Sequence, residues 1–473
     1  MTFRLRNLVI LAGATALSAC SLAPTYVRPS GAVPVELPQG WPYPAAASDA
    51  ADVTKMGWRE FFTDAQLRQV IETGLENNRD LRIAAANVLQ ARAQYRVQRA
   101  DLVPTTALSG GATYTNNPAA ASGAGAGGAS SNIEAYSVNA GFSAFELDLF
   151  GRTRNLSQAA QERYFASEEA QRSVRISLIA EIATAWLTLA SDRDQLKLAE
   201  ETLKTFEQTL ELTRAQFRIG VASELAARQA ETSYQGARND IAALRTRIAQ
   251  DQNALNLLVG TTVTADQLPA GLGGDQVTRD ALPGDLSSLV LLRRPDVLQA
   301  EHQLIAENAN IGAARAAFFP TISLTAAIGT ISTALTGLFS GGSFTYNAGP
   351  SIGLPLFDGG RNQGNLAYAK ASQQAAVATY EKAVQSAFRE VADALATRGT
   401  IGEQVDALSA RVEAAQVAAR LSDARYRAGV DSFLTALDAQ RTAYAARQQL
   451  QTVRLARAGN AVELYRALGG GLD

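Results

Sequence analysis

Two ten-residue segments of this 473-residue chain are alike, and their spacing limits what the chain can fold into. Residues 214–223 (RAQFRIGVAS) align with residues 423–432 (DARYRAGVDS), so equivalent positions lie 209 residues apart. Nearer the start of each half the offset is 216, and it changes inside the segments 111–148 and 330–355. A changed offset is what loops of different length would give. The sequence therefore predicts two tandem copies of one structural plan.

Each copy contains a long stretch that is typical of a coiled-coil helix. Neither proline nor glycine occurs from about Asn155 to Phe217, and at about 1.5 Å per residue this stretch predicts a rod of roughly 90 Å. Apolar residues recur every seven positions in both copies, as in a coiled-coil seam. They are Leu196, Leu203, Leu210 and Phe217 in the first copy and Val405, Val412, Ala419 and Tyr426 in the second.

Other segments alternate between apolar and small or polar residues. Over 343–356 the even positions are apolar and the odd positions are mostly Ser, Thr, Asn or Gly. This pattern is typical of outer-membrane strands, although a soluble sheet with one wet face shows the same alternation. Four strands are predicted, at about 105–116, 136–148, 321–332 and 343–356. Aromatic residues beside the two inter-strand loops predict an aromatic belt at one membrane interface. They are Tyr114, Tyr136, Phe344 and Tyr346.

Four strands cannot close a barrel, and an open sheet edge is not tolerated in lipid. Several chains must therefore pool their strands. Two chains would give eight strands and three would give twelve, and a lumen wide enough to conduct favours three or more.

The N-terminus predicts export and lipidation. Arg4 and Arg6 precede a short apolar segment that ends in Leu17-Ser18-Ala19-Cys20, the pattern of a bacterial lipobox. Residues 1–19 are predicted as a signal peptide and Cys20 as the lipidated first residue of the mature chain. An ordinary signal peptide that ends near a cysteine is the alternative. Because Ser21 follows and not aspartate, we expect delivery to the outer membrane of a Gram-negative cell.

The composition excludes several other functions. A net charge of −2 argues against nucleic-acid binding. The single cysteine and single histidine argue against a cysteine metal site, a zinc hydrolase and a Ser-His-Asp enzyme. No metal, cofactor or catalytic residue is predicted.

These features predict a mixed α/β membrane protein that is mainly α. Residues 20–62 are expected to form a lipidated N-terminal tether, and 261–282 a linker between the copies. Repeat 1 (63–260) and repeat 2 (283–473) share one order: helix, two strands, long helix, turn and helix. The turns are placed at 218–223 and 427–432.

Several motifs together resemble the TolC-like outer-membrane efflux proteins, in particular the lipoprotein branch that serves resistance-nodulation-division (RND) pumps. Besides the two turns, the motifs are CSLAPTY at 20–26, ELDLFGR at 146–152, LRRPDV at 292–297, FP at 319–320 and LPLFDGGR at 354–361. The resemblance implies a homotrimer with a 12-stranded β-barrel in the outer membrane and a periplasmic α-helical barrel. It implies a periplasmic adaptor (membrane fusion) protein and an inner-membrane RND pump as partners.

The same resemblance assigns roles to residues near the turns. The turns would be the tip that docks the adaptor, through Arg218, Gly220, Val221, Ser223, Arg427, Gly429, Val430 and Ser432. Asp438 and Leu434 match an aspartate ring and an apolar ring at a periplasmic gate. Some relatives carry a second aspartate one turn earlier, where this chain has Thr435.

The expected function is that of an outer-membrane channel, the exit duct of a tripartite efflux pump, which passively conducts drugs or other small toxic compounds. Two alternatives remain at this point: an exit duct for secreted proteins, and a structural coiled-coil lipoprotein. The lipobox favours efflux over protein secretion. The predicted lipid-facing strands argue against a structural coiled-coil lipoprotein, which would not need them.

Overall fold

The computed structural model describes residues 21–43, 56–117, 131–273, 277–279 and 287–470. The predicted signal peptide and the predicted lipidation site Cys20 lie outside the described residues. So do residues 118–130, part of the 20–62 segment and part of the 261–282 linker.

Within the described ranges the chain is mainly helical, with one four-stranded sheet. The helices are α1 (Trp58–Phe61), α2 (Ala65–Asn77), α3 (Arg79–Ala100), α4 (Arg152–Arg218), α5 (Glu224–Val259), α6 (Pro295–Ala316), α7 (Arg361–Arg427) and α8 (Phe433–Ala467). The strands are β1 (Ala107–Asn117), β2 (Ser131–Glu146), β3 (Thr321–Ser332) and β4 (Phe344–Gly353). Short 3₁₀ turns cover Ala265–Gln267, Ser288–Arg293 and Leu335–Gly337.

The strands pair antiparallel in chain order, β1-β2-β3-β4, which leaves β1 and β4 as open edges. β2 starts five residues before its predicted start, because Ser131–Ala135 pair with β1 although they lack the alternating pattern. β4 ends at Gly353, before the prolyl residue Pro355, which has no N–H to donate to a ladder.

The register places the predicted apolar positions of all four strands on one face. Ala140 of β2 pairs with Leu108 and Ile328, and Ile328 pairs with Tyr346. The apolar face includes Leu108, Tyr136, Val138, Phe142, Leu324, Ile328, Tyr346 and Ile352. The opposite face carries small or polar residues, among them Ser137, Asn139, Thr325, Thr345, Asn347 and Ser351.

The chain divides into two compact units that cut across the two repeats. Unit 1 combines residues 1–29, 88–167 and 300–380, and unit 2 combines residues 30–87, 168–299 and 381–473. Each unit therefore contains segments from both copies, as expected if the copies fold side by side and not as successive domains.

In unit 1 the helices below the sheet pack through small residues. Ala159 of α4 packs against Ala306 and Ala309 of α6, and all three are buried. The rings of Phe150 and Phe319, which follow β2 and precede β3, stack with centroids 4.6 Å apart. Small side chains let the helix backbones approach closely.

In unit 2 the predicted seam of α4 is only partly buried, whereas the row three residues further on is buried. Leu203 packs against the Ala199 cluster and the Phe206 cluster, and Phe206 is 4% exposed. Phe217, the last predicted seam residue, is 43% exposed. The seam of α7 is only partly buried, since Val412 and Ala419 are at intermediate exposure within one chain.

The duplication persists in unit 2 as a pair of equivalent buried hydrogen bonds. Asn78, just before α3, donates its side-chain amide to the Leu258 carbonyl. Arg294, just before α6, donates to the Ala467 carbonyl. Leu258 and Ala467 are 209 residues apart, so the two bonds occupy the same place in the two copies.

One buried contact occurs in the first copy only. Asp192 of α4, 6% exposed, interacts with Asp251 of α5, and the pKa values of both carboxyl groups are raised. Burial is the main reason that the pKa of Asp192 is raised, and the charge of Arg247 only partly offsets it. Burial, followed by the charge of Asp192, raises the pKa of Asp251. The equivalent residues of the second copy are Ile401 and Asn460, which do not titrate.

We expect Asp251→Asn, which copies Asn460, to stabilise the protein increasingly as pH rises from about 4 to 7. Because the folded-state pKa values are raised, the favourable contribution of the pair is present below the unfolded-state value of about 3.9 and is lost as pH rises through the folded-state values. The measurement is the difference in apparent melting temperature between variant and parent in detergent.

Asp266→Asn is the control, because a hydrogen bond from Thr264 lowers the pKa of the exposed Asp266. Its melting-temperature difference from the parent should therefore change with pH in the opposite direction. A melting difference for Asp251→Asn that does not change with pH would contradict the raised pKa values of the two carboxyl groups.

Candidate functional site

The two predicted turns adopt the same backbone geometry. Gly220 and Gly429 have φ of +78° and +74°, a left-handed conformation that favours glycine. In the first turn the Val221 amide donates to the Gln216 carbonyl, and the Gly220 amide to the Phe217 carbonyl. The second turn repeats both bonds, from Val430 to Arg425 and from Gly429 to Tyr426. This is the Schellman motif, so each glycine ends its helix for a local backbone reason.

Each turn also starts the next helix in the same way. The hydroxyl of Ser223 accepts a hydrogen bond from the Ala226 amide, and that of Ser432 accepts one from the Thr435 amide. Thr435 also bonds Ser432 through its own hydroxyl, at 2.9 Å. The position where some relatives carry a second aspartate therefore takes part in the helix cap here.

The two turns differ in charge. In the second turn Arg425 forms a bidentate pair with Asp431, at 2.7 and 2.9 Å, and this hydrogen bonding lowers the pKa of Asp431. The first turn has Gln216 and Ala222 at the equivalent positions. Val221 and Val430 are 72% and 63% exposed. Each turn thus presents an apolar side chain to solvent, and the Arg425–Asp431 pair beside the second turn has no equivalent at the same positions of the first.

The predicted gate residues lie on one exposed face of α8. Leu434 is 54% exposed, and Asp438, one turn further on, is also exposed. The adjacent Leu437 is 1% exposed and packs against Phe206 and Ala237 of the first copy. The packing of α8 therefore turns Leu434 and Asp438 away from their own chain, as a residue that lines a channel would require.

Polar contacts also tie α8 to the first copy. Arg441 donates to the Ser233 hydroxyl at 2.9 Å, and the Tyr444 hydroxyl donates to Asp240 at 3.0 Å. Burial, then the hydrogen bond to Asp240, raises the pKa of Tyr444 well above its ordinary value. Tyr444 therefore stays protonated and donates throughout the physiological range.

The four predicted belt residues all lie on the apolar face of the sheet, in two pairs. The hydroxyls of Tyr114 and Tyr136 are 2.9 Å apart, and the rings of Phe344 and Tyr346 are 6.5 Å apart. Tyr114, Phe344 and Tyr346 are each at least 66% exposed. Their common height in a membrane stays a prediction.

Two features near the sheet were missed by sequence reasoning. The end of β2 contains a β-bulge between Phe142 and Phe145, after which Glu146 pairs with Arg152. The signal available was the Phe-x-x-Phe spacing, which breaks the two-residue period.

The second missed feature is a set of specific contacts made by the N-terminal segment. Arg28 forms a bidentate pair with the buried carboxylate of Glu301, both distances being 2.7 Å, and Tyr26 donates to the same carboxylate. The Leu22 and Pro24 carbonyls accept hydrogen bonds from Arg315 and Asn308. The segment is therefore fixed on α6 in unit 1.

This architecture, with an apolar-faced open sheet and two antiparallel coiled-coil hairpins per chain, is that of a channel subunit of the outer membrane. The sequence profile described as outer membrane efflux protein matches residues 70–261 and 286–470. The chain belongs to the outer membrane efflux protein family, and the resemblance inferred from its motifs is confirmed.

Similar proteins of known role are outer-membrane parts of efflux pumps. The antibiotic efflux pump outer membrane protein ArpC and the toluene efflux pump outer membrane protein TtgC, both of Pseudomonas putida, are each 47% identical over 456 residues, which is 96% of this chain and 93% of theirs. The crystal structure of CusC matches with a TM-score of 0.84 at 40% identity, covering 96% of this chain and 100% of that chain. The predicted function as an outer-membrane efflux channel and the predicted location are confirmed.

We expect Gly220→Ala to destabilise the protein by about 1 kcal/mol, because an alanine in a left-handed conformation is strained. No atom lies within 4 Å of an added Cβ, so the cost comes from the backbone alone. Gly236→Ala in the interior of α5, which also has open space, should stabilise by about 0.5–1 kcal/mol. Chemical denaturation of both variants measures this, and equal effects would contradict the turn geometry.

Proposed function

We propose that the protein is the exit duct of a tripartite efflux pump, in which three copies form one continuous passage for small toxic compounds. The observation that carries the proposal is the four-stranded sheet with two open edges and one apolar face. Backbone groups that are unpaired in lipid cost several kcal/mol each, so β4 of one copy must pair with β1 of the next. Three copies give twelve strands, enough for a water-filled lumen.

The proposed route runs along the small and polar face of the sheet. Serine, threonine and asparagine side chains on that face hydrogen-bond water, whereas the apolar face meets lipid. Passage needs no chemistry from the protein, since a pump on the inner membrane would supply the work. The relatives handle compounds as different as antibiotics and toluene, which supports a duct whose specificity lies in the pump.

Lipidation at Cys20 is proposed as a second attachment to the outer membrane. Ser21 is hydrogen-bonded to Asn155 in the first turn of α4, so the residue after Cys20 is held on the protein. One acyl anchor binds membranes weakly compared with a closed barrel. The intact mass of the mature chain, with Cys20→Ala as reference, tests the modification.

The two turns are proposed as the docking surface for a periplasmic adaptor. Their exposed valines offer apolar contact, and the Arg425–Asp431 pair beside the second turn has no equivalent at the same positions of the first. An adaptor would therefore meet two similar but unequal sites per copy, six in a trimer.

We expect Val221→Glu and Val430→Glu together to lower drug export by at least about tenfold, because two exposed apolar contacts per chain become charged. Val221→Thr with Val430→Thr, which nearly keeps the shape, is the matched control. The measurement is the minimum inhibitory concentration in an efflux-deficient host that expresses the pump and adaptor. Full export by the glutamate variant at normal trimer levels would show that the turns are not the docking surface.

We propose that the resting passage is closed around Leu434 and Asp438. Three leucines near the axis would disfavour water and ions, and three aspartates one turn away would bind cations. Opening would move the α7–α8 hairpin outward while the α4–α5 hairpin stays nearly fixed.

The test of the duct is single-channel recording of purified trimers in planar bilayers. We expect Leu434→Ala with Asp438→Ala to raise conductance roughly twofold or more and to weaken block by divalent cations added on the periplasmic side. Leu225→Ala with Gln229→Ala changes the equivalent residues of the first copy and is the matched control. Trimers that do not conduct even in the Leu434→Ala, Asp438→Ala variant would refute the duct. A larger effect of the control pair would instead place the gate at the first turn, near Glu224 and Arg228.

A further inference from the structure

The ELDLFGR motif at 146–152 has no part in the proposed gate or docking surface, and its geometry is unusual. Strand β2 has two residues between Phe142 and Phe145, whereas the facing part of β3, between Ala326 and Leu324, has only one. Ala144 has φ of +53°, rare for a residue other than glycine, and its amide donates to the Thr325 hydroxyl. This is a β-bulge, a feature that redirects side chains.

The bulge reverses which residues of β2 face each side. After it, Phe145 pairs with Leu324 on the apolar face, where its ring meets that of Phe142 at 6.3 Å. Glu146 pairs with Ser323, whose hydroxyl lies 2.7 Å from that of Ser351 on the polar face. If the same residues continued as a regular strand with no bulge, Glu146 would lie on the face of the even-numbered positions and point toward lipid.

Glu146 is thereby set apart from every other paired position on the polar face of the described strands. Those positions hold glycine, alanine, serine, threonine, asparagine or isoleucine, none of which ionises. Arg152, the first residue of α4, binds the Glu146 carboxylate with both arms of its guanidinium, at 2.9 and 2.5 Å. The side chains of Glu146 and Arg152 are 25% and 39% exposed, so both are accessible to water and ions.

The second copy lacks this arrangement. Arg361 is the equivalent of Arg152, but alignment of Leu147-x-Leu149-Phe150 with Leu354-x-Leu356-Phe357 places Gly353 at the position of Glu146. The pair therefore cannot be a requirement of the repeated fold itself, since the second copy connects its strand to its long helix without it.

We propose that Glu146 and Arg152 form a charge-compensated ring of three ion pairs at the inner end of the barrel, and that this ring sets how evenly the barrel conducts cations and anions. This rests on the proposed duct, because only a closed trimer makes the polar face a lumen. Within a wall of neutral groups, a fixed charge attracts ions of opposite sign over about a Debye length. The bidentate pair keeps the ring neutral, so neither cations nor anions are held back there.

The experiment measures the permeability ratio of K⁺ to Cl⁻ for purified trimers in planar bilayers under a KCl gradient. All proteins carry Leu434→Ala and Asp438→Asn, so that the proposed gate is open and adds no charge, and this double variant is the parent for the comparison. Arg152→Gln leaves three uncompensated carboxylates and should raise the ratio at least about twofold, whereas Glu146→Gln leaves three guanidinium groups and should lower it by a similar factor. The double variant Glu146→Gln with Arg152→Gln should return to the parent ratio.

Two further comparisons separate charge from structure. Arg152→Lys keeps the charge but loses the bidentate bond, and it should keep the parent ratio. The effects of the single variants should shrink between about 0.1 M and 1 M KCl, because the Debye length falls from about 10 Å to 3 Å.

Single variants that conduct with the parent ratio would overturn the selectivity role while leaving the duct intact. A shift in Arg152→Lys as large as in Arg152→Gln would assign the pair a structural role. Parent trimers without any conductance would instead refute the duct on which the inference rests.

Discussion

The unpaired backbone at the two edges of the sheet is the constraint on which the rest of the structure depends. β1 and β4 each present a row of N–H and C=O groups that lipid cannot satisfy, while the apolar face of the sheet requires lipid. A single chain cannot meet both demands. The duplication supplies two strand pairs per chain, and each pair is connected to helices of 67 residues, α4 and α7, which are about 100 Å long.

The helical hairpins follow from the sequence by local rules. Heptad spacing, a glycine at the C-terminal end and a serine cap at the next start are enough to predict α4, its turn and α5, and the structure repeats these features in α7 and α8. The predicted stretch from about Asn155 to Phe217 differs from α4 by three residues at its start and one at its end. The strands were likewise predicted by their two-residue period, because each has one lipid-compatible face.

Features that depend on register or on distant partners could not be predicted in this way. The bulge at Ala144 changes the side to which Glu146 points, and only the pairing with β3 reveals it. The contacts of Tyr26 and Arg28 join residues more than 270 positions apart, and a proline-rich segment gives no periodic signal of where it docks. The gate residues were placed by resemblance. The structure adds that Leu437 packs against the first copy, whereas Leu434 is 54% exposed.

The paired hydrogen bonds of Asn78 and Arg294 show how far the two copies have diverged. The same carbonyl position is held by a neutral amide in the first copy and by a guanidinium in the second. The guanidinium also reaches Asp296 and Glu390, so it joins three segments of the second copy where Asn78 joins two of the first. A chimaera of two identical first copies would keep every backbone turn but lose this charged junction. The two copies thus share one backbone plan but close the same junction with different chemistry, a neutral amide in the first and a charged network in the second.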